Sequence, residues 1–123
     1  MKKILIVEDD AVTAHAYRGC LERAGYSVQV VPDGQAGLEH VQQSAPDGVL
    51  LDLMMPRVNG IQFLKSMRAL AHLAAVPVIV YTNAFIPNLV DEAQAAGATR
   101  VFAKASLTPQ MLTTAFREAI PAG

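Results

Sequence analysis

The chain alternates, five times over, a short run of β-branched and aliphatic residues with a longer segment of helical period. No single motif constrains it as much. Strand–helix repeats of this kind close their apolar faces only as a parallel sheet with helices laid across it. The first run, Ile4-Leu5-Ile6-Val7 after Lys3, has no polar break and suits a strand covered on both faces. A helix over residues 11–24 follows, with Val12, Ala16, Tyr17, Cys20 and Leu21 at helical spacing and Gly25 at its end. The second strand, 27–31, alternates Val28 and Val30 with polar neighbours and reads as an edge, and Asp33 caps a helix over 34–43. A third strand from residue 48 to 51 or 52 repeats the buried pattern in Val49-Leu50-Leu51. It leads through the loop Asp52-Leu53-Met54-Met55-Pro56-Arg57-Val58-Asn59-Gly60 to a helix over 61–70, with Phe63, Leu64, Met67 and Leu70 inward. The fourth strand is placed at 77–81, its helix at 87–96 before Gly97, the last strand at 100–103, and a final helix at 109–120 behind Thr108 and Pro109.

Composition enters as a set of exclusions. With 123 residues, 52% of them hydrophobic, the chain suits one domain with a sizeable core and is not a disordered segment. Ten basic residues scattered against eleven acidic ones, a net charge of −1, offer no concentrated basic face, so a direct nucleic-acid partner is not expected. Glu8, Asp9 and Asp10 end the apolar run behind Lys2 and Lys3 too early for a signal peptide, and residues 70–81, broken by His72 and Pro77, are too short to span a bilayer. A lone Cys20 inside a helical pattern reads as a buried small hydrophobe and suits a reducing compartment. The chain is read as soluble and cytoplasmic.

Two central strands and right-handed crossovers restrict the topology to a doubly wound sheet, whose ligands sit beyond the carboxyl ends of the strands where the winding reverses. Polar residues gather at that edge: Glu8-Asp9-Asp10 after the first strand, Asp52 at the third, Thr82 at the fourth and Lys104 after the fifth. In the order 2-1-3-4-5 the first and third strands are neighbours, which crowds Glu8, Asp9 and Asp52 together. Two carboxylates about 4 Å apart repel by roughly 4 kcal/mol at an effective dielectric near 20, so three of them call for a cation. Oxygen-only ligands, few of them from protein, favour Mg²⁺ over Ca²⁺. Each residue also has a plainer reading: Asp9 or Asp10 as a helix N-cap, Asp52 as a turn opener, Thr82 as a strand-end hydroxyl, Lys104 as a solvated charge.

Together the set supports phosphoryl transfer to Asp52, a carboxylate nucleophile that needs no general base. Asp9 and Asp52 would hold Mg²⁺ with the Met54 backbone carbonyl and with Glu8 through water, Thr82 would donate to one phosphoryl oxygen, and Lys104 would pair with another. The histidines His15, His40 and His72 have no partner set and read as surface residues.

Four motifs in order, with matching spacing, carry a resemblance over essentially the whole chain. They are Ile4 to Asp10, Leu51-Asp52-Leu53-Met54-Met55-Pro56 with Gly60, Val80-Tyr81-Thr82, and Ala96-Gly97-Ala98 ahead of Lys104. The sequence resembles the receiver domain of two-component response regulators, and in particular the chemotaxis receivers. The resemblance implies a flavodoxin-like α/β fold: a five-stranded parallel sheet of order 2-1-3-4-5 with five helices on its two faces. It implies that Asp52 accepts phosphate from a phosphohistidine on a histidine kinase or phosphotransfer protein. It also makes Glu8 and Asp9 the acidic pair, and Asp10 the extra acid that begins the helix. Phosphorylation would draw Thr82 inward and repack the face of the fourth helix, fifth strand and fifth helix, switching an unknown downstream protein. Such a chain is a regulatory phosphoacceptor rather than an enzyme, although it assists its own phosphorylation and dephosphorylation.

Three positions depart from that pattern. Ala105 follows Lys104 where receivers place proline. A cis bond before a non-proline residue costs about 2.5–4 kcal/mol, so the bond is expected trans and the lysine is presented differently. Val101 stands where many receivers carry the aromatic that swings inward, and Phe102 beside it points to the other face by strand alternation. Asn83 after Thr82 is larger than the small residue usual there and crowds access to the site. The alternative reading is a phosphorylation-independent receiver acting as an interaction module. A flavin carrier of similar fold would need a hydroxyl-rich phosphate loop where Glu8-Asp9-Asp10 stands, and an aspartate-nucleophile phosphatase would need an acid where Met54 stands. No output domain is expected after the last helix, leaving a free-standing receiver or a piece of a longer chain. Arg100, Arg117, Glu92 and Glu118 would suit at most a weak dimer of an otherwise monomeric chain.

Overall fold

In the computed structural model, which describes residues 1–55, 59–83 and 86–121, the run after Lys3 forms strand β1 (Lys3–Val7), its four apolar residues all buried. The other strands are β2 (Ser27–Val31), β3 (Gly48–Asp52), β4 (Val78–Thr82) and β5 (Arg100–Ala103). They pair in parallel in the order β2-β1-β3-β4-β5. The helices are α1 (Ala11–Arg23), α2 (Gly34–Gln43), α3 (Gly60–Arg68), α4 (Pro87–Ala95) and α5 (Pro109–Ala119), with single 3-10 turns at Ala71–Leu73 and Lys104–Ser106. The doubly wound order expected from the alternation is therefore the one formed. Pro56, Arg57 and Val58 of the loop after β3, and Ala122 and Gly123 at the end of the sequence, lie outside the described residues.

Successive side chains of a strand point to opposite faces, which divides the core in two. Leu5, Val7, Val49, Leu51, Val78 and Val80 face α2, α3 and α4, where Val41, Phe63, Leu64, Met67 and Ala93 complete the layer. Ile4, Ile6, Leu50, Ile79, Tyr81 and Phe102 face α1 and α5, against Cys20, Leu21, Leu112 and Phe116. With both faces covered, the polar residues that follow the strands meet at the strand ends.

Boundaries shift by a residue or two from the sequence reading. β4 runs Val78–Thr82 rather than 77–81, because Pro77 has no N–H for a ladder; Val78 N–H is taken by Thr99 Oγ1 at 2.9 Å. α3 stops at Arg68, and Leu70, still partly buried, begins the 3-10 turn. The larger correction concerns α1. Ala14, Cys20 and Leu21 are its buried residues, Tyr17 packs partly buried beside them, and Val12 is 79% exposed with Ala16 also outside. Val12 and Ala16 each lie about 200° round the axis from Ala14, so they cannot share its stripe. The histidines also divide: His15 and His72 are exposed, but His40 is half-buried, and its Nδ1 has no hydrogen-bond partner among the described residues.

At the end of the sheet away from the acidic residues, one cation gathers backbone oxygens from two connections, α3 to β4 and α4 to β5. Arg68 Nε and Nη2 donate to Gly97 O at 3.1 and 2.8 Å, and Nη1 to Leu73 O at 3.0 Å, Ala74 O at 3.2 Å and Val76 O at 2.6 Å. Gly97 has φ +109°, and a Cβ there would stand 2.8 Å from Arg68 Nε. This junction fixes how the chain enters β4 and β5. Arg68→Ala is expected to lower unfolding free energy by about 2–4 kcal/mol, because it orphans part-buried carbonyls. Arg68→Lys should recover less than half of that, since a single ammonium cannot span the same set of acceptors. Urea unfolding of the three chains checks both figures.

Candidate functional site

β1 delivers Glu8, 2% exposed, to the carboxyl edge of the sheet, and β3 delivers Asp52, 6% exposed, beside it. Between them in the chain comes Asp10, which is the N-cap of α1: its Oδ1 accepts from Val12 N–H at 3.1 Å and its Oδ2 from the Thr13 hydroxyl at 2.8 Å. These donors hold its carboxyl below the usual carboxylate range. The capping role falls to Asp10, so Asp9 is left for the cluster. Glu8, Asp9 and Asp52 each offer a carboxylate oxygen, and these oxygens lie within 4.8 Å of one another.

The surrounding donors are few. Asp52 Oδ1 accepts from Met54 N–H at 3.0 Å. Glu8 Oε2 accepts from Asp10 N–H at 3.0 Å, and its Oε1 accepts from the Tyr81 hydroxyl. Thr82, 1% exposed, is the last residue of β4 and stands beside Ala103 of β5 in the register. Lys104 opens the 3-10 turn after β5 and places Nζ 4.0 Å from Glu8 Oε1. No peptide bond among the described residues is cis, so Lys104–Ala105 is trans. The fold therefore brings together Glu8, Asp9, Asp52, Thr82 and Lys104 at one edge, with Lys104 paired to Glu8.

Burial decides the electrostatics. It pushes the Glu8 carboxyl from 4.5 up to about 7 against the opposing pull of Asp10 N–H and the Tyr81 hydroxyl, and the charge on Asp52 adds to the rise. Burial also raises Asp52, with Met54 N–H and Lys104 pulling the other way. Two acids that resist ionisation side by side are suited to a hard divalent cation, and an all-oxygen donor set fits Mg²⁺.

Val101, opposite Val80 in the register, packs against the core on the α4 side, whereas Phe102 belongs to the opposite cluster under Arg100, whose Cζ lies 4.8 Å from the ring centroid. Asn83 is exposed, as are Arg100, Arg117, Glu92 and Glu118. Cys20 is buried, with Sγ 3.6 Å from Pro109 O. The residue that the sequence reading gave no place in the site is Tyr81. A signal was present: a tyrosine in an otherwise aliphatic, fully buried strand must find a partner for its hydroxyl.

The response regulator receiver domain family matches residues 4–117. The chain belongs to that family. Among curated relatives, this receiver is similar to response regulator MprA of Mycolicibacterium vanbaalenii, 35% identical over 80 residues that cover 65% of this chain and 34% of that protein. It is also similar to transcriptional regulatory protein CseB of Streptomyces coelicolor, 40% identical over 77 residues, 63% of this chain and 32% of the relative. Each match thus spans about a third of the relative's own length. Among solved structures, chemotaxis protein CheY4 of Vibrio cholerae superimposes with a TM-score of 0.91 at 28% identity over 98% of this chain and 99% of that one. A response regulator structure from Chloroflexus aurantiacus gives a TM-score of 0.90 at 25% identity, over 96% of both chains. No helix among the described residues is long and apolar enough to cross a membrane.

The raised Glu8 carboxyl has a sign that can be measured. Without a divalent cation, the folded receiver keeps a proton that the unfolded chain releases between about pH 4.5 and about pH 7, so stability is lost as pH rises through that window. Melting temperature in a chelator is expected to fall across it, Mg²⁺ to oppose the fall, and Glu8→Gln to flatten the curve. A flat wild-type profile would count against crowding of these acids.

Proposed function

We propose that this receiver takes a phosphoryl group on Asp52 from the phosphohistidine of a histidine kinase or phosphotransfer protein, and that the modified chain changes its binding of a downstream protein. The observation that carries the reading is the convergence of three carboxylates at the sheet edge with Lys104 and Thr82 across from them. An Asp52 carboxylate oxygen attacks phosphorus while the bond from phosphorus to the imidazole nitrogen breaks, and the imidazole leaves with that electron pair and takes up a proton. Asp9 and Asp52, with the Met54 carbonyl and with Glu8 through water, would hold a Mg²⁺ ion whose charge offsets that building on the phosphoryl oxygens. Thr82 donates its hydroxyl to one phosphoryl oxygen. Lys104 exchanges its pairing with Glu8 for another. Asp10 stays the cap of α1 and keeps Asp9 aimed at the cluster.

On this reading the chain is a regulatory phosphoacceptor rather than a turnover enzyme, works in the cytoplasm as a monomer or weak dimer, and needs no direct contact with nucleic acid. Incubation with phosphoramidate and Mg²⁺, followed by intact-mass analysis, is expected to add one phosphoryl group to the wild type and none to Asp52→Asn. An unmodified wild type, or a modified Asp52→Asn, overturns the proposal.

One observation favours a second reading. Val101, partly buried against the α4-side layer and without a ring to move, removes the aromatic swing as a relay. If phosphorylation shifts amide resonances only beside Asp52 and leaves α4, β5 and α5 unmoved, the chain is an interaction module whose binding ignores its phosphorylation state.

A further inference from the structure

Tyr81 touches the site but has no part in the chemistry set out above. It is wholly buried at the penultimate position of β4, directly beside Asp52 of β3 in the register. Three side chains converge on it. Its hydroxyl donates to Glu8 Oε1. Its ring meets that of Tyr17 edge-on, centroids 5.2 Å apart at 65°. The Lys104 ammonium stands 5.9 Å from its ring centroid, within the range where a cation is drawn to an aromatic face. One side chain therefore contacts both the buried acid and the only lysine paired to it among the described residues.

The consequence for Glu8 is positional. Its two oxygens are held by donors from separate elements, Oε1 by Tyr81 of β4 and Oε2 by the N–H of Asp10 at the entry to α1. A carboxylate tied at both oxygens cannot turn freely about its terminal bond. It presents a fixed pair of lone pairs to whatever lies between it and Asp52. The consequence for Lys104 is support: the lysine sits in a 3-10 turn with alanine behind it, and the tyrosine face gives its ammonium a second contact besides Glu8. Tyr17, locking the ring from the side, limits the orientations available to the hydroxyl.

The geometry points to Tyr81 as a positioning residue of the phosphoacceptor site, its hydroxyl fixing Glu8 for cation binding and its ring supporting Lys104. This rests on the reading that the acidic cluster holds Mg²⁺. Partners of this kind, which orient a ligand without being one, typically change metal affinity 10–100-fold when removed.

The test uses Mg²⁺ alone, titrated by NMR into the full chain with no phosphoryl donor, for wild type, Tyr81→Phe, Glu8→Gln and the double variant. Tyr81→Phe is expected to raise the Mg²⁺ dissociation constant roughly 10-fold in the wild-type background and less than about 2-fold in Glu8→Gln. An equal change in both backgrounds, or no change in either, overturns the proposal. A second measurement avoids any folding defect of the variant. With ¹³Cζ-tyrosine, the Tyr81 signal of the wild type should move on Mg²⁺ addition and should differ in Glu8→Gln, while that of Tyr26, which packs on Phe116, stays in place. A stationary Tyr81 signal overturns the proposal. If the wild type binds Mg²⁺ with this coupling but accepts no phosphoryl group, the phosphoacceptor reading fails and the Tyr81–Glu8 coupling stands. If it is phosphorylated while the coupling is absent, only the role of Tyr81 fails, and a wild type that binds no Mg²⁺ overturns both.

Discussion

Burial of two carboxyl groups that the backbone does not allow to separate governs the sheet edge on which the rest of the site depends. β1 and β3 pair directly, so Glu8 and Asp52 emerge side by side whatever their charges prefer. Burial removes the water that would otherwise screen them, and both acids resist ionisation as a result. Donors from three parts of the chain gather round the two carboxyls. Lys104 approaches Glu8, Met54 N–H turns to Asp52, and Asp10 N–H closes on Glu8. With these donors in place, Glu8, Asp9 and Asp52 remain an all-oxygen acidic cluster that could hold a metal ion.

Most of the architecture was legible because strands and helices announce themselves by period. The unbroken apolar runs at 4–7 and 49–51 located the two central strands, and their adjacency located the acidic cluster. What was illegible depends on rotation and on partners far away in the chain. Val12 and Ala16 share helical spacing with Cys20, but the angle at which α1 docks is set by Ala14, Tyr17 and Leu21, and no local pattern reveals it. Which of Asp9 and Asp10 would cap the helix was undecided in the sequence, since both residue types cap well; the chain direction leaving β1 decided it. The part Tyr81 plays was illegible because the partner of its hydroxyl, Glu8, lies 73 residues away in the chain.

The departures from the family's usual pattern now have a structural setting. Ala105 behind a trans bond leaves Lys104 in a 3-10 turn, where it still reaches the acid it must face. Val101 is committed to the α4-side layer and Phe102 to the other, pinned beneath Arg100. Position 101 therefore offers no ring to rotate, and the one aromatic side chain of β5 lies on the other face of the sheet.

Arg68 gives the receiver an asymmetry along its strands. The Arg68 guanidinium is held by neutral backbone carbonyls, whereas the opposite pole gathers the carboxyl groups of Glu8, Asp9 and Asp52. A change of pH near neutrality therefore acts on the acidic end, where Glu8 exchanges its proton, while the guanidinium keeps its charge and its carbonyls at the other.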